Sequence, residues 1–161
     1  MKAGVTVAAM GAAVLALAAS AWAKPPERFD DQFDYSGQVS CGAFDDVWEG
    51  AITLHGITTF DKQGNPVSDV VHFQRTETNW RSDDPDTSMT LTGSWTVHYD
   101  YATDTETDTG VIINQTFPGF GLLFHDVGFI SFTPDGVVVH GPHDVFEQGD
   151  AAYCNALEAI G

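Results

Sequence analysis

The sequence predicts an all-β domain: a single antiparallel meander closed as a small β-barrel, with a two-sheet β-sandwich as the alternative and a short helix at the C-terminus. Three observations predict it. Long stretches alternate apolar and polar residues with a period of two, which gives each strand one apolar and one polar face. Short turns rich in Gly, Pro, Asn and Asp separate these stretches. No helical segment lies between them, so successive strands are expected to run antiparallel.

The first element is not part of that fold. Met1-Lys2 leads into a charge-free apolar run through Val5, Val7, Met10, Val14, Leu15 and Leu17, which ends at Ser20-Ala21-Trp22-Ala23. A basic start, an apolar middle and an A-x-A ending read as a secretion signal over residues 1–23, cut after Ala23. The run is rich in Ala and Gly, and no basic stop-transfer cluster follows it, which argues against a retained anchor. Lipidation would need a Cys at the cut, and the first Cys is Cys41.

Residues 24–40 open with Pro25-Pro26 and read as an extended N-terminal arm that becomes an edge strand over 33–39. Residues 41–161 then form the barrel-like domain. Its first long strand spans 48–60, with Trp48, Gly50, Ile52, Leu54, Gly56, Thr58 and Phe60 on one side. A turn at 61–66 leads to a second strand at 70–81. The third, 88–101, sets Met89, Leu91, Gly93, Trp95, Val97, Tyr99 and Tyr101 opposite Thr90, Thr92, Ser94, Thr96, His98 and Asp100. After a loop at 103–108, strands are expected at 111–117, 122–133 and 137–140. Pro134-Asp135-Gly136 supplies a hairpin turn before the last of them. Mid-strand Gly50, Gly56 and Gly93 relieve bending and so favour the barrel. A helix at 150–160, N-capped by Asp150, ends the chain.

All 23 acidic residues and five of the six basic ones follow Ala23, so the chain after the cut has 138 residues and a net charge of −18. That length suits one domain. The charge repels phosphate backbones and anionic lipid heads, which excludes nucleic acid and, after signal cleavage, membranes as partners. Metal cations, cationic ligands and basic proteins stay open. A secreted or cell-envelope monomer is expected. Two cysteines in an exported chain permit one intramolecular pairing, Cys41 with Cys154.

Six histidines stand out: His55, His72, His98, His125, His140 and His143. His140 and His143, with Asp144 next to them, would face a zinc ion if the Gly141-Pro142 kink broke the strand alternation. No HExxH or HxH pattern supports that reading. Asp104, Glu106 and Asp108 alternate as calcium ligands do, but Gly110 falls one position late for the EF-hand pattern. No cofactor is expected, with calcium or zinc as the lesser alternative. Nucleophile-elbow, phosphate-loop and nucleotide signatures are missing from the sequence.

Cys41-Gly42, Phe117-Pro118-Gly119-Phe120-Gly121, His125-Asp126-Val127-Gly128-Phe129-Ile130, Gly141-Pro142-His143 and a terminal Cys154 follow the signal segment in that order. The arrangement resembles a group of uncharacterised exported proteins of high-GC Gram-positive bacteria, over nearly the whole chain after residue 23. The resemblance implies an extracytoplasmic β-barrel-like domain with an end-to-end disulfide, and it implies no activity.

The leading functional expectation is a non-catalytic extracellular binding module for a small apolar or aromatic ligand, held among Trp48, Trp95, Tyr99, Phe117, Phe124 and Phe132. One alternative is a small-barrel enzyme of the cyclase or isomerase type with His55 or His98 as acid/base. The other is a cell-envelope interaction protein acting through its acidic surface.

Overall fold

A computed structural model describes residues 24–117, 121–143 and 147–161. Residues 1–23, read above as a secretion signal, and Asp144 lie outside these residues. Among the described residues, seven strands, β1 (Glu27–Ser40), β2 (Asp45–Phe60), β3 (Pro66–Arg81), β4 (Ser88–Asp100), β5 (Thr105–Phe117), β6 (Gly121–Thr133) and β7 (Gly136–His140), precede the helix α1 (Asp150–Ile160). The strands form a single antiparallel sheet in sequence order. An all-β meander with a C-terminal helix is therefore the architecture.

The expected closure does not occur. β1 and β7 are the two edges, and among the described residues no ladder joins them, so the sheet is neither a barrel nor a two-sheet sandwich. β7, five residues long, offers only a short ladder to the 14-residue β1. Asp30, Asp31 and Asp34 on β1 also discourage pairing with a further strand. The glycines expected to help closure have other roles. Phe29 pairs with Gly56, Tyr35 with Gly50 and Trp48 with Gly37. A Cβ at Gly37, Gly50 or Gly56 would fall within 2.0–2.6 Å of the partner's ring, so each aromatic ring lies flat over a cross-strand glycine. Gly93 faces the β5 bulge, where an added Cβ would stand 2.0 Å from the Ile112 carbonyl oxygen.

Two elements are longer than the sequence suggests. β1 is hydrogen-bonded to β2 along all 14 of its residues, so the arm is part of the sheet from Glu27 onward. β5 starts at Thr105, so most of the segment read as a loop at 103–108 is strand, paired with β4 and β6. Period-two patterning is weak there because Thr, Asp and Glu fill both faces.

Cross-strand register sorts the side chains onto two faces. One carries Trp48, Ile52 and Leu54 from β2, Phe73, Arg75, Glu77 and Asn79 from β3, and Met89, Leu91, Trp95, Val97 and Tyr99 from β4. Asp108, Ile113, Phe124, Asp126, Ile130 and Phe132 continue it on β5 and β6. The alternation read for β2 and β4 is the one observed. At one end of this face α1 lies on the sheet: Ala152, Ala156 and Leu157 form the core with Phe44, Met89, Leu91, Ile113 and Phe124. Tyr153 packs its ring 5.1 Å from that of Phe124.

Cys41 and Cys154 are bonded, with Cα atoms 5.4 Å apart across 113 residues of sequence. The bond ties α1 to the segment joining β1 and β2. α1 is N-capped by Gly149 at φ 60°, with no side-chain cap; Asp150, expected in that role, is the first helical residue. Its negative charge still suits the helix N-terminus. No described helix is long and apolar enough to cross a membrane.

Candidate binding face

The helix-bearing face reads as a series of cross-strand rows. Nearest α1 come Trp48, Asn79 and Met89, then Tyr35, Gly50, Glu77 and Leu91. Arg75 and Gly93 follow with Phe33 and Ile52, and beyond them Leu54, Phe73 and Trp95. Val71, Val97, Asp108 and Ile130 form the next row, and Asp69, Tyr99, Glu106 and Phe132 the last. Successive rows are about 6–7 Å apart, two residues along a strand.

Beneath α1 this face is buried and its polar groups are mostly paired. Asp46, 1% exposed, accepts from the Asn79 side chain at 3.2 Å through both oxygens. Burial pushes the Asp46 carboxyl up to about 6; the Asn79 bond opposes the rise, and the charges of Glu77 and Asp150 add to it. Tyr35 donates its hydroxyl to Glu77 at 2.5 Å. Burial first, and then that bond, raise the Tyr35 phenol. The Tyr153 phenol is likewise pushed up to about 12, chiefly by burial, with the neighbouring Arg75 opposing.

Beyond Arg75, Phe73 and Trp95 stack with ring centroids 5.1 Å apart and an interplanar angle of 8°. At the β1 edge Phe29 and Phe33 are 38% and 43% exposed. Asp108, half-buried, is pushed up to about 6 by burial and then by the charge of Glu106. The described buried side-chain atoms that lack a hydrogen-bond partner are Asp69 Oδ1, Arg75 Nε, Asn79 Oδ1 and Asp108 Oδ1. All four belong to residues of the helix-bearing face. Unmet buried polar groups are costly, and native structures satisfy them with water or ligand.

The six aromatics expected to hold a ligand share this face. Trp48 and Phe124 lie at the α1 end, Trp95 in the middle, and Tyr99 and Phe132 in the last row. They span the face and do not converge on one cavity. Phe117, half-buried at the end of β5, follows the alternation of Ile113 and Gln115 past an extra residue in β6, and so stands at the α1 end of this face as well.

The histidines lie elsewhere. His55 and His98 project from the opposite face, both exposed. His55 bonds exposed Asp30 at 2.5 Å and pairs across the ladder with His72, which contacts Thr96 at 3.2 Å and Ser94 at 3.3 Å. With Arg28, Ile57 and Val70, Asp30, His55 and His72 line an open depression of about 300 Å³.

Nor do the zinc and calcium candidates gather. His143, 1% exposed, places Nδ1 on Asp126 and Nε2 at 3.2 Å from the His140 carbonyl, so both ring nitrogens are engaged within the protein. His140 stacks on Phe129. Asp104, in the β4–β5 turn, accepts from the Tyr99 hydroxyl, while Glu106 and Asp108 sit in β5. Among the described residues no three His, Cys, Asp or Glu side chains are placed to hold a metal ion.

Sequence reasoning missed Tyr35, Arg75, Glu77 and the Asp126–His143 pair. The odd positions of β3, running Asp69, Val71, Phe73, Arg75, Glu77 and Asn79, mix charged with apolar residues on one face. A face assignment propagated from the clear β4 pattern would have found them. No protein-family model, curated protein or solved structure matches the chain.

Proposed function

We propose that the protein is an exported, non-catalytic binding module that takes a small apolar or aromatic ligand on the part of the helix-bearing face beyond Arg75. The reading of export rests on the signal-like start and on the end-to-end disulfide. One observation carries the binding reading. The stacked Phe73–Trp95 pair, with Leu54, Val97, Phe29 and Phe33, forms an apolar tract that no described element covers, while α1 covers the adjoining part. Phe29 and Phe33 are exposed and the other four half-buried, and apolar tracts left partly open in this way mark binding surfaces. Both candidate acid/base histidines stand on the other face, so nothing there favours the enzyme reading.

N-phenyl-1-naphthylamine, an uncharged dye that brightens in apolar surroundings, tests this. Saturable binding is expected, at least tenfold weaker in Trp95→Ala and unchanged in Leu123→Ala, which alters the depression beside α1. No saturable binding, or loss in Leu123→Ala with Trp95→Ala unaffected, refutes the reading.

A further inference from the structure

A purely apolar occupant would leave part of this face unsatisfied. Three basic residues lie in strands. Arg28 faces the opposite side. Arg81 stands at the α1 end, held bidentately by Asp83 at 3.0 and 2.9 Å. Arg75 stands between them, on the helix-bearing face, where the cover of α1 ends.

Its guanidinium carries five N–H donors in a fixed fork. Nη2 reaches the Ile112 carbonyl, freed from the ladder by the β5 bulge, at the long distance of 3.5 Å. The Tyr153 hydroxyl oxygen accepts a hydrogen bond from the guanidinium, which leaves the remaining donors for a ligand. Nε is buried without a partner, and among the described residues no carboxylate stands within ion-pair distance. Glu77, two residues on and on the same face, is engaged by Tyr35. The Trp95 ring, centred 6.0 Å from the guanidinium carbon, forms one wall and leads directly into the apolar tract. A cation with unspent donors thus stands at the inner end of an aromatic surface, in a half-buried setting where hydrogen bonds to a charged group are strong.

Taking the binding reading above as its premise, we infer that Arg75 receives an sp² oxygen, a carboxylate or a carbonyl, at one end of the ligand, whose apolar or aromatic body lies along Trp95 and Phe73. The ligand class is then an aromatic or alkyl carboxylic acid or ketone, in preference to a hydrocarbon or an amine. Asp108, Glu106 and Asp69 in the two outermost rows disfavour an oxygen-bearing head at that end, and so fix the ligand's direction.

Three probes of one shape separate the claims: naphthalene, 2-naphthoate and 2-acetylnaphthalene, each titrated by quenching of tryptophan fluorescence. In the wild-type chain the two oxygen-bearing probes are expected to bind at least tenfold more tightly than naphthalene. In Arg75→Gln that ratio is expected to fall to within twofold of one. Arg75→Lys, which keeps the charge but loses the fork, should retain the advantage for naphthoate and lose most of it for the ketone. Circular dichroism confirms that each variant is folded, and if Arg75→Gln is not, Arg75→Lys alone decides.

An oxygen advantage that survives Arg75→Gln, a ketone advantage that survives Arg75→Lys, or an advantage that never exists although naphthalene binds, overturns the assignment of Arg75 and leaves the binding face standing. Failure of all three probes overturns the face itself, and the assignment with it.

Discussion

The two parts of the helix-bearing face are built from the same strands with the same alternation, yet they differ in what lies above them. Under α1, Leu91, Ile113 and Leu157 are fully buried. From the Arg75 row outward, Phe33 and Phe29 remain more than a third exposed, and Asp69 and Asp108 keep unpartnered oxygens. The patterning of a strand specifies which face is apolar, and only the tertiary cover decides whether that face becomes core. Here one 11-residue helix covers one end, and the contrast between core and exposed tract follows from its length.

The strongest way to break the contrast is to release the cover. Cys41–Cys154 closes a loop of more than 100 residues, and a bond of that span contributes roughly 4–5 kcal/mol through the unfolded chain. The Cys41→Ser/Cys154→Ser double substitution is expected to lower the urea midpoint accordingly. If α1 stays docked in the folded fraction, hydrogen exchange should still protect its amides; if the bond is what holds the cover, those amides should exchange before the strands do.

Smaller, and more local, is the difference between a core residue and an exposed one. Leu157→Ala empties a fully buried position in the core that includes Phe44 and Met89, and should cost about 3 kcal/mol. Phe33→Ala, on the same sheet face but 43% exposed, should cost about 1 kcal/mol or less. Equal losses in urea unfolding would mean that the exposed tract is as much a part of the core as the helix contact.

Legibility in the sequence follows the same division. The strands with one clearly apolar face, β2 and β4, were readable to within a few residues, and so was the helix with its Cys154 delivered to Cys41. Closure was not readable, because whether β1 meets β7 depends on the lengths and charges of two edges far apart in sequence. The polar residues of the face were hidden by β3, where Arg75 and Glu77 occupy positions that alternation assigns to apolar side chains. The Asp126–His143 pair was hidden for a related reason: its partners meet only through a single bridge beyond the end of β7.

The most gradual expected effect is a pH dependence that the two ends share, and it tests whether their carboxylates are buried alike. Asp46, under α1, and Asp108, beyond it, both sit near 6, against an ordinary value of 3.8. A carboxyl whose folded value lies above its unfolded value binds protons in the native state that the unfolded chain has already released. Stability is therefore fully present below about pH 4 and is lost as pH rises toward and through 6, the reverse of a salt-bridged carboxylate. For the more buried Asp46 the loss is on the order of 2 kcal/mol. Urea unfolding at pH 4, 5, 6 and 7 should show the decline. Asp46→Asn, which keeps the shape and removes the charge, should flatten it; Asp108→Asn should do so by less, because that side chain is closer to solvent. If Asp46→Asn leaves the slope intact while Asp108→Asn abolishes it, the helix-covered end is not the drier of the two, and the division of the face into core and binding tract fails with it.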